Sequence, residues 1–382
     1  MTTPHTPEDL ADAMGQAALR LRTVSLHGND SKRMMGGPLE YADSAIGTAG
    51  LNRILEYEPR NLTISVEAGV PWRDLAALTG QYGQMVPLDP PFAGEATVGG
   101  VVAVNASGPR RRQFGTARDM IIGMKFVTMQ GKVVQSGGMV VKNVAGLDMA
   151  KLMIGSFGTL AAIAVVNFKL APAPEMERSF LLPFDSAAAA LAARDAILKG
   201  PLQPAAIDLL NPAAASAVGK SSWLLAVRAG GHQGTVSRYE RELASLAEGV
   251  ALDGSGHQVL WRRIEEFTPE FLGLHPAGAV VRVSCTLKGL EDVAASLPGP
   301  AVARAGTGVC YGYFAECESA AAWMGASAAR GWKAVVEFAS EERKRGLNQW
   351  PAPGTDLKWM KKLKHLFDPD NRLNRGRLYG RI

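Results

Sequence analysis

The distribution of glycine constrains this chain most. Twenty of its 42 glycines cluster between Gly28 and Gly158, and the stretch that stands out runs from Pro87 to Leu170. There PLDPPFAGEATVGGVVAVNASGPRRRQFGTARDMIIGMKFV is followed by GGMVVKNVAGLDMAKLMIGSFGTLAAIAVVNFKL. Gly94, Gly99, Gly100, Gly108, Gly115, Gly123, Gly146, Gly155 and Gly158 fall in loops between apolar runs. Glycine permits positive φ and lets backbone approach a ligand closely. Successive backbone N–H groups in such loops form nests that hold phosphate without a formal charge. One such loop usually marks only a tight turn. This many in one stretch predicts a long glycine-lined surface suited to a large pyrophosphate-bearing ligand.

Two better-known phosphate motifs are excluded. GxGxxG is absent: Gly306, Gly308 and Gly312 have the wrong spacing, and no acidic residue follows where the dinucleotide fingerprint needs one. AAASAVGKS (Ala213–Ser221) ends like a P-loop, but Ala214 stands where the first glycine should be, and no apolar strand precedes it.

The 382 residues suit two domains, with a core large enough to need no disulfide or metal staple. Charged residues make up 20% and apolar residues 47%, a soluble globular balance. Cys285, Cys310 and Cys317 are too few and too sparse for a disulfide framework or a four-cysteine iron–sulfur cluster. The opening MTTPHTPEDLADAMGQ has no apolar core of a secretion signal, and no run reaches membrane-span length, so a cytoplasmic location is expected. The net charge of +5 is uneven: residues 330–382 hold thirteen Lys/Arg against six Asp/Glu. A basic segment of this kind suits an acidic partner, a membrane surface or a phosphate-bearing cofactor, or is simply a solvated helix face. Peripheral membrane association is compatible with it. Nucleic acid is not expected, since no recognised motif accompanies the charge.

Periodicity places an amphipathic helix at Asp9–Arg22, with Leu10, Met14, Ala17 and Leu21 on one face. A strand is expected at Leu62–Val70, a short helix from Pro71 to about Gly80, and a hairpin turning near Gln130–Gly131. LAAIAVVNFKL reads as a buried strand. Pro172, Pro174 and Pro183 mark a boundary at Ala171–Arg178. Beyond it RSFLLPF, SAAAALAARDAIL, WLLAVRAGG, VSRYERELASLAE, AVVRVSCTL and KAVVEFA mix strands with helices. That order predicts an α+β domain with an antiparallel sheet.

SVEAGVPWRDL, EATVGGVVAVNASG, FGTARDMIIGMKFVTMQGKVV, VKNVAGLDMAKLMIGSFGTL and the terminal FDPDNRLNRGRL together resemble the vanillyl-alcohol-oxidase (PCMH) type of FAD-binding domain. Within that superfamily the chain is most similar to the smaller FAD-binding subunits of glycolate oxidases. The resemblance is dense over Leu51–Pro172, loose through the second half, and returns in the last fifteen residues. It implies an α+β architecture: a PCMH-type FAD-binding domain over 1–172, then a smaller α+β domain over 173–382 whose terminal segment returns to the flavin.

The resemblance also implies residue roles. The Gly28–Lys32 loop should cradle the pyrophosphate, with Asn29 and Ser31 as further donors and Lys32 at its end. Thr97, Gly99 and Gly100 should sit beside the isoalloxazine and diphosphate, and Asn105 and Gly108 should continue that wall. Arg118 and Asp119 should order the next loop. Gly158, Ile163 and Val165 should line the adenine–ribose end, and Asn374 should lie near the flavin. The chain departs from the family pattern at Phe157, where relatives often carry an acidic residue, and at Asn374-Arg375-Gly376, where many read Asn-Pro-Gly. Covalently flavinylated relatives place a His after the first glycines or a Cys later. Here His27 precedes Gly28 and no Cys occurs before Cys285, so FAD should be non-covalent.

Oxidation of a 2-hydroxy acid needs a cation for the carboxylate, a base for the hydroxyl proton and a hydride acceptor. Arg228 and Arg282 lie in apolar strands and His232 follows one, which makes them candidate catalytic residues; an arginine in such a strand more often pairs structurally. Tyr311 and Tyr313 alternate in a strand, more often a packing pattern. His5, His27, His232, His257, His275 and His365 include no His-x-His or His-x-x-x-His pair, so no metal site is expected. In catalytic relatives second-domain histidines supply base or metal ligands. The absence of a histidine pair implies a subunit that relays electrons between a larger homologous FAD subunit and an iron–sulfur subunit. Two alternatives stay open: a self-sufficient FAD-dependent dehydrogenase of another 2-hydroxy acid or alcohol, and a non-catalytic flavin-binding assembly subunit. The basic stretch Lys358–Lys364 is a candidate docking face.

Overall fold

The computed structural model describes residues 1–140 and 147–380. The KNVAG run, Gly146 included, lies outside the described residues. The chain divides into two compact units. The first comprises residues 1–106, 116–173 and 352–382, and the second 107–115 and 174–351. The division after residue 173 falls beside the proline cluster. The expected single run 173–382 is corrected: the C-terminal thirty-odd residues belong with the first unit. The short PRRRQFG segment moves the other way, and the second unit is not appreciably smaller than the first.

The first unit is built on a five-stranded antiparallel sheet. Its order is Ile54–Glu58, Thr63–Glu67, Ala162–Lys169, Ile121–Val127 and Val133–Gly137. Ala162–Lys169 sits at the centre because it is apolar on both faces; seven of its eight residues are buried. The helix Pro7–Leu19 starts two residues before the periodicity suggests. Thr6 caps it reciprocally with Asp9, Asp9 N donating to Thr6 Oγ1 at 3.0 Å and Thr6 N to Asp9 Oδ2 at 3.1 Å. Its face of Leu10, Met14 and Ala17 packs with Val127, Ala164 and Val165. It stops at Arg20, before Leu21 adopts φ 55°. The parallel pair Val24–His27 and Ser44–Gly47 carries the first glycine loop away from this core.

The second unit holds an eight-stranded sheet in which every pairing is antiparallel. The order is Val250–Leu252, Met176–Phe184, Trp223–Gly231, Ala206–Leu210, Ala301–Arg304, Val309–Phe314, Ala279–Ser284, Lys333–Ala339. Ile207, Leu209, Val227, Ala303, Cys310, Val281 and Val336 face one core with the helices Ala187–Lys199, Gln233–Ala244, Leu290–Ser296 and Cys317–Ala329. Side chains alternate along a strand. Asp208, Arg228, Arg304, Tyr311, Arg282 and Glu337 therefore face the other side.

Candidate flavin site and the charged sheet face

Within the first unit, the strand Val24–His27 delivers the loop Gly28–Lys32. His27 fixes its shape. Its Nδ1 is 3.0 Å from Asp30 Oδ1 and its Nε2 is 2.9 Å from Ser25 Oγ. Asp30 takes φ 51°, and the hydrogen bond from His27 holds its carboxyl below the usual range. Asn29 is not free to serve as a loose donor, because its Nδ2 donates to Glu95 O at 2.8 Å and ties the loop to the ATVGG turn. Lys32 is buried, with Nζ 3.5 Å from Ser31 Oγ and 6.0 Å from the centre of the Phe92 ring.

Thr97, Gly99 and Gly100 form the opposing wall. Thr97 caps the helix Val98–Ala103 by accepting from Gly100 N at 3.3 Å. A Cβ on Gly28 would come within 2.6 Å of Thr97 Oγ1, so the two loops touch through glycine and hydroxyl. A Cβ on Gly99 would meet Ala68 Cβ at 2.8 Å, which explains that glycine by packing against the strand end.

Asn105 continues the wall. It holds φ 52°, and its Oδ1 is buried with no hydrogen-bond partner among the described residues. A buried acceptor without a partner costs about 1–3 kcal/mol, so this atom is available to a ligand donor. Beside it, Gly155 N donates to Val102 O and Phe157 N to Ala103 O. Gly155, Phe157 and Gly158 all have positive φ. Left-handed non-glycine residues of this kind concentrate at ligand clamps. Gly108 lies in the segment 107–115, which belongs to the second unit.

The C-terminal tail joins these loops. Asn374, at φ 45°, accepts from Leu26 N through Oδ1 at 2.8 Å and donates through Nδ2 to Phe157 O at 2.8 Å. It therefore ties the first strand to the GSFG turn. Arg377 Nη1 donates to Arg33 O and Gly37 O, which holds the far side of the first glycine loop. Behind them lies a device that the sequence hides. Lys364 Nζ, buried, donates to Thr159 O at 2.9 Å, Leu373 O at 2.8 Å and Asp368 Oδ2 at 2.7 Å. Asp368 in turn accepts from Arg372 N and Leu373 N. Lys364 is thus removed from the expected basic docking face.

Other expected residues play supporting parts. Asp119 Oδ2 accepts from Thr116 N at 2.8 Å and completes a capping box, while Arg118 is exposed and its carbonyl accepts from Lys151 Nζ. Ile163 and Val165 are inside the central strand, and Val165 packs with Leu10 and Met14. Their side chains support the fold from within rather than lining an open wall.

The second unit changes the standing of the catalytic candidates. Arg228 is buried and bound to Glu177 by Nε at 2.8 Å and Nη2 at 3.1 Å, with Glu265 Oε1 3.3 Å from Nη1. Burial alone would raise the Glu177 carboxyl. The His257 ring, 3.5 Å away, with Arg228 and Arg110 outweighs burial and holds that carboxyl well below the usual range. Arg228 is therefore part of a structural ion-pair network. His232 is exposed and pairs with Glu175 at 2.8 Å. Arg282 keeps its place on the charged face, with Nε on Glu337 at 2.9 Å and Nη1 on Ser284 Oγ at 3.1 Å. Sequence reading missed Arg304, which pairs with buried Asp208 and lies 5.6 Å from the Tyr311 ring centre. Its signal was the lone cation in the short alternation AVAR. Burial pushes the Tyr311 phenol up to about 12, so it is a hydrogen-bond donor, not a base, near neutrality.

Residues 1–137 match the family described as FAD binding domain, and residues 343–378 match the FAD linked oxidases, C-terminal domain. The glycolate oxidase subunit GlcE of Escherichia coli is 35% identical over 171 residues, 44% of this chain and 48% of that protein. Glycolate oxidase subunit GlcD of Bacillus subtilis is 33% identical over 42% of this chain and 34% of its own length. The D-lactate dehydrogenase of Anaerostipes hadrus is 33% identical over 47% of this chain and 38% of its own length. The matched region thus spans about half or less of each of these relatives. Among solved structures, the 4-ethylphenol oxidase of Gulosibacter chungangensis superposes with TM-score 0.73 at 14% identity, covering 98% of this chain and 88% of that one. An alkyldihydroxyacetonephosphate synthase superposes with TM-score 0.70 at 18% identity, covering 97% and 76%. These two show the fold alone. Over less than half of its length the chain is thus similar to an FAD binding domain and to glycolate oxidase subunits, and that match supports FAD as its cofactor. The residues present fit that cofactor: a Cβ would fill the close approach of Gly28 to Thr97, and the buried Asn105 Oδ1 has no hydrogen-bond partner among the described residues.

Proposed function

We propose that this chain is the FAD-binding subunit of a glycolate-oxidase-like complex that oxidises a small 2-hydroxy acid, glycolate to glyoxylate. The observation that carries the reading is the paired loop system of Gly28–Lys32 and Thr97–Asn105, closed by Asn374, in a chain similar to GlcE. Bound FAD would supply electron uptake and one-electron release. The protein's own work is to hold it. Backbone N–H groups of the glycine loops and the buried Lys32 amine would hold the pyrophosphate charge, and Asn105 Oδ1 would accept from the cofactor. In the second unit, Arg282 and Arg304 are cations of the kind that hold a carboxylate, and Tyr311 is a donor. Electrons then pass to a partner iron–sulfur subunit, with a larger homologous FAD subunit carrying out the hydride step. The candidate Arg228, held by Glu177 and Glu265, is left out of this proposal; Arg282 and Arg304 are also paired, with Glu337 and Asp208, and would have to exchange part of that pairing for a substrate carboxylate.

A self-sufficient 2-hydroxy-acid dehydrogenase is the second reading, favoured by Arg282, Arg304 and Tyr311 sharing one sheet face. A non-catalytic assembly subunit is disfavoured by the intact ATVGG turn. The visible spectrum of the purified chain, before and after acid precipitation and then with anaerobic glycolate, separates the three. Acid-released flavin that glycolate bleaches only after partner subunits are added supports the complex. Bleaching by the chain alone makes it the dehydrogenase. No flavin after reconstitution overturns the proposal.

A further inference from the structure

The helix Asp356–Phe367 has two faces of different character. Inward, Phe367 lies 6.4 Å from Phe126 between ring centres, and Lys364 is held by backbone carbonyls and Asp368. Outward, Lys358, Lys361, Lys362 and His365 are exposed, and no ion pair joins the three lysines to any described acid. Two large apolar side chains stand on that outer face, one helical heptad apart: Trp359 is 63% exposed and Leu366 is 73% exposed. Lys362 lies between them, its Nζ 4.7 Å from the Trp359 ring centre.

The same end of the unit carries a second set. Arg372 Nη1 donates to Ala18 O at 3.1 Å, which fixes the end of the first helix against the segment following the C-terminal helix. From that end Leu19 and Leu21 protrude, 78% and 71% exposed, with Arg20 and Arg22 exposed beside them.

We propose that this face is a docking surface for an anionic lipid bilayer. Lysines and arginines surround isolated apolar knobs. A dry protein–protein core needs contiguous apolar area with charge at the rim, whereas here charge separates the knobs. A bilayer interface accepts each knob singly: indole sits at the headgroup level, leucine enters the acyl boundary and lysine stems snorkel to phosphate. The buried Lys364–Asp368 clamp keeps the helix rigid against the unit, so little ordering is required on contact. This inference is independent of the flavin chemistry.

The test uses the full flavin-loaded chain with vesicles of phosphatidylglycerol in phosphatidylcholine, and of phosphatidylcholine alone, by co-sedimentation. Binding is expected only to the anionic vesicles, weakening with salt, with a blue shift in tryptophan emission that W359F removes. Each lysine near such a surface contributes about a fivefold factor in partitioning. K358E/K361E/K362E should therefore weaken binding at least about a hundredfold while its flavin spectrum stays unchanged, and the triple Lys→Arg variant should bind as the native chain does. Absence of binding to anionic vesicles at low salt overturns the proposal. So does equal binding by the charge-reversed variant, or protection of these lysines by a partner protein without vesicle binding.

Discussion

Replacing Asn374 by alanine tests whether the C-terminal tail builds the flavin site or merely packs near it. The side chain makes two hydrogen bonds of 2.8 Å, accepting from Leu26 N and donating to Phe157 O. Removing it leaves a part-buried N–H and a part-buried C=O unpaired, at about 1–3 kcal/mol each. The residue also sits at φ 45°, a left-handed conformation that costs alanine about 1 kcal/mol more than asparagine. N374A should therefore destabilise the first unit by about 3–7 kcal/mol in urea unfolding. It should also weaken FAD binding at least tenfold, because the two backbones it joins carry the first glycine loop and the GSFG turn. N374G removes the same bonds without the conformational cost and should recover about 1 kcal/mol of stability but little of the FAD affinity. N374D keeps the acceptor for Leu26 N and loses the donor to Phe157 O, so it should fall between. The readouts are flavin fluorescence on titration and the denaturation midpoint with and without FAD. An N374A protein with native FAD affinity and less than about 1 kcal/mol of destabilisation would refute the assignment.

Other perturbations give distinct signatures. G28A places a Cβ 2.6 Å from Thr97 Oγ1. Overpacking of this kind costs about 1–3 kcal/mol, so FAD affinity should drop about tenfold or more, and G28A/T97A should regain part of it in the same titration. K364M leaves Asp368 buried without its partner and should cost about 3–5 kcal/mol in thermal or urea unfolding; K364M/D368N should recover some of this, and full additivity of the two would argue against the clamp. The depressed Asp30 carboxyl contributes stability that is present above its ordinary value of 3.8 and lost as pH falls below it. Flavin retention followed down through pH 4 should therefore decline more shallowly for D30N than for the native chain. R228M should destabilise the second unit by breaking a buried pair and leave the FAD titration unchanged; a changed FAD affinity would return Arg228 to the candidate site.

The parts of this fold legible in the sequence are those whose signal is local. The first helix declared itself through Leu10, Met14 and Ala17, and the central strand through an unbroken apolar run. Thr6 was overlooked because a cap announces only where a helix starts. The strands Ala206–Leu210 and Ala301–Arg304 are short, lie inside one large sheet and carry Asp208 and Arg304, so no long apolar run marks them in the sequence. Periodicity gave no means of ordering eight strands, since that order depends on pairings between distant segments. In the site, the glycine loops were readable because positive φ and close approach select glycine. Lys364 was not: helical spacing placed it with three exposed lysines. The carbonyl of Thr159, far away in sequence, joins Asp368 and Leu373 O in holding the ammonium buried there.

This contrast bears on why the tail is required at all. A glycine nest binds phosphate with backbone, and the flexibility that lets it do so leaves it poorly ordered when empty. Binding affinity then suffers by whatever ordering must occur on contact. In this chain the loops are pre-ordered from outside themselves: Asn374 fixes Phe157 and Leu26, Arg377 fixes Gly37, and Lys364 fixes Thr159. All three come from residues 364–377, within the region that matches the FAD linked oxidases, C-terminal domain. If this is how the segment serves the cofactor, truncation after residue 351 should leave the second unit's unfolding transition intact while abolishing flavin binding. Adding residues 352–382 back as a separate peptide should restore binding in a concentration-dependent way. A truncated chain that still binds FAD at native affinity would show that the nest orders itself.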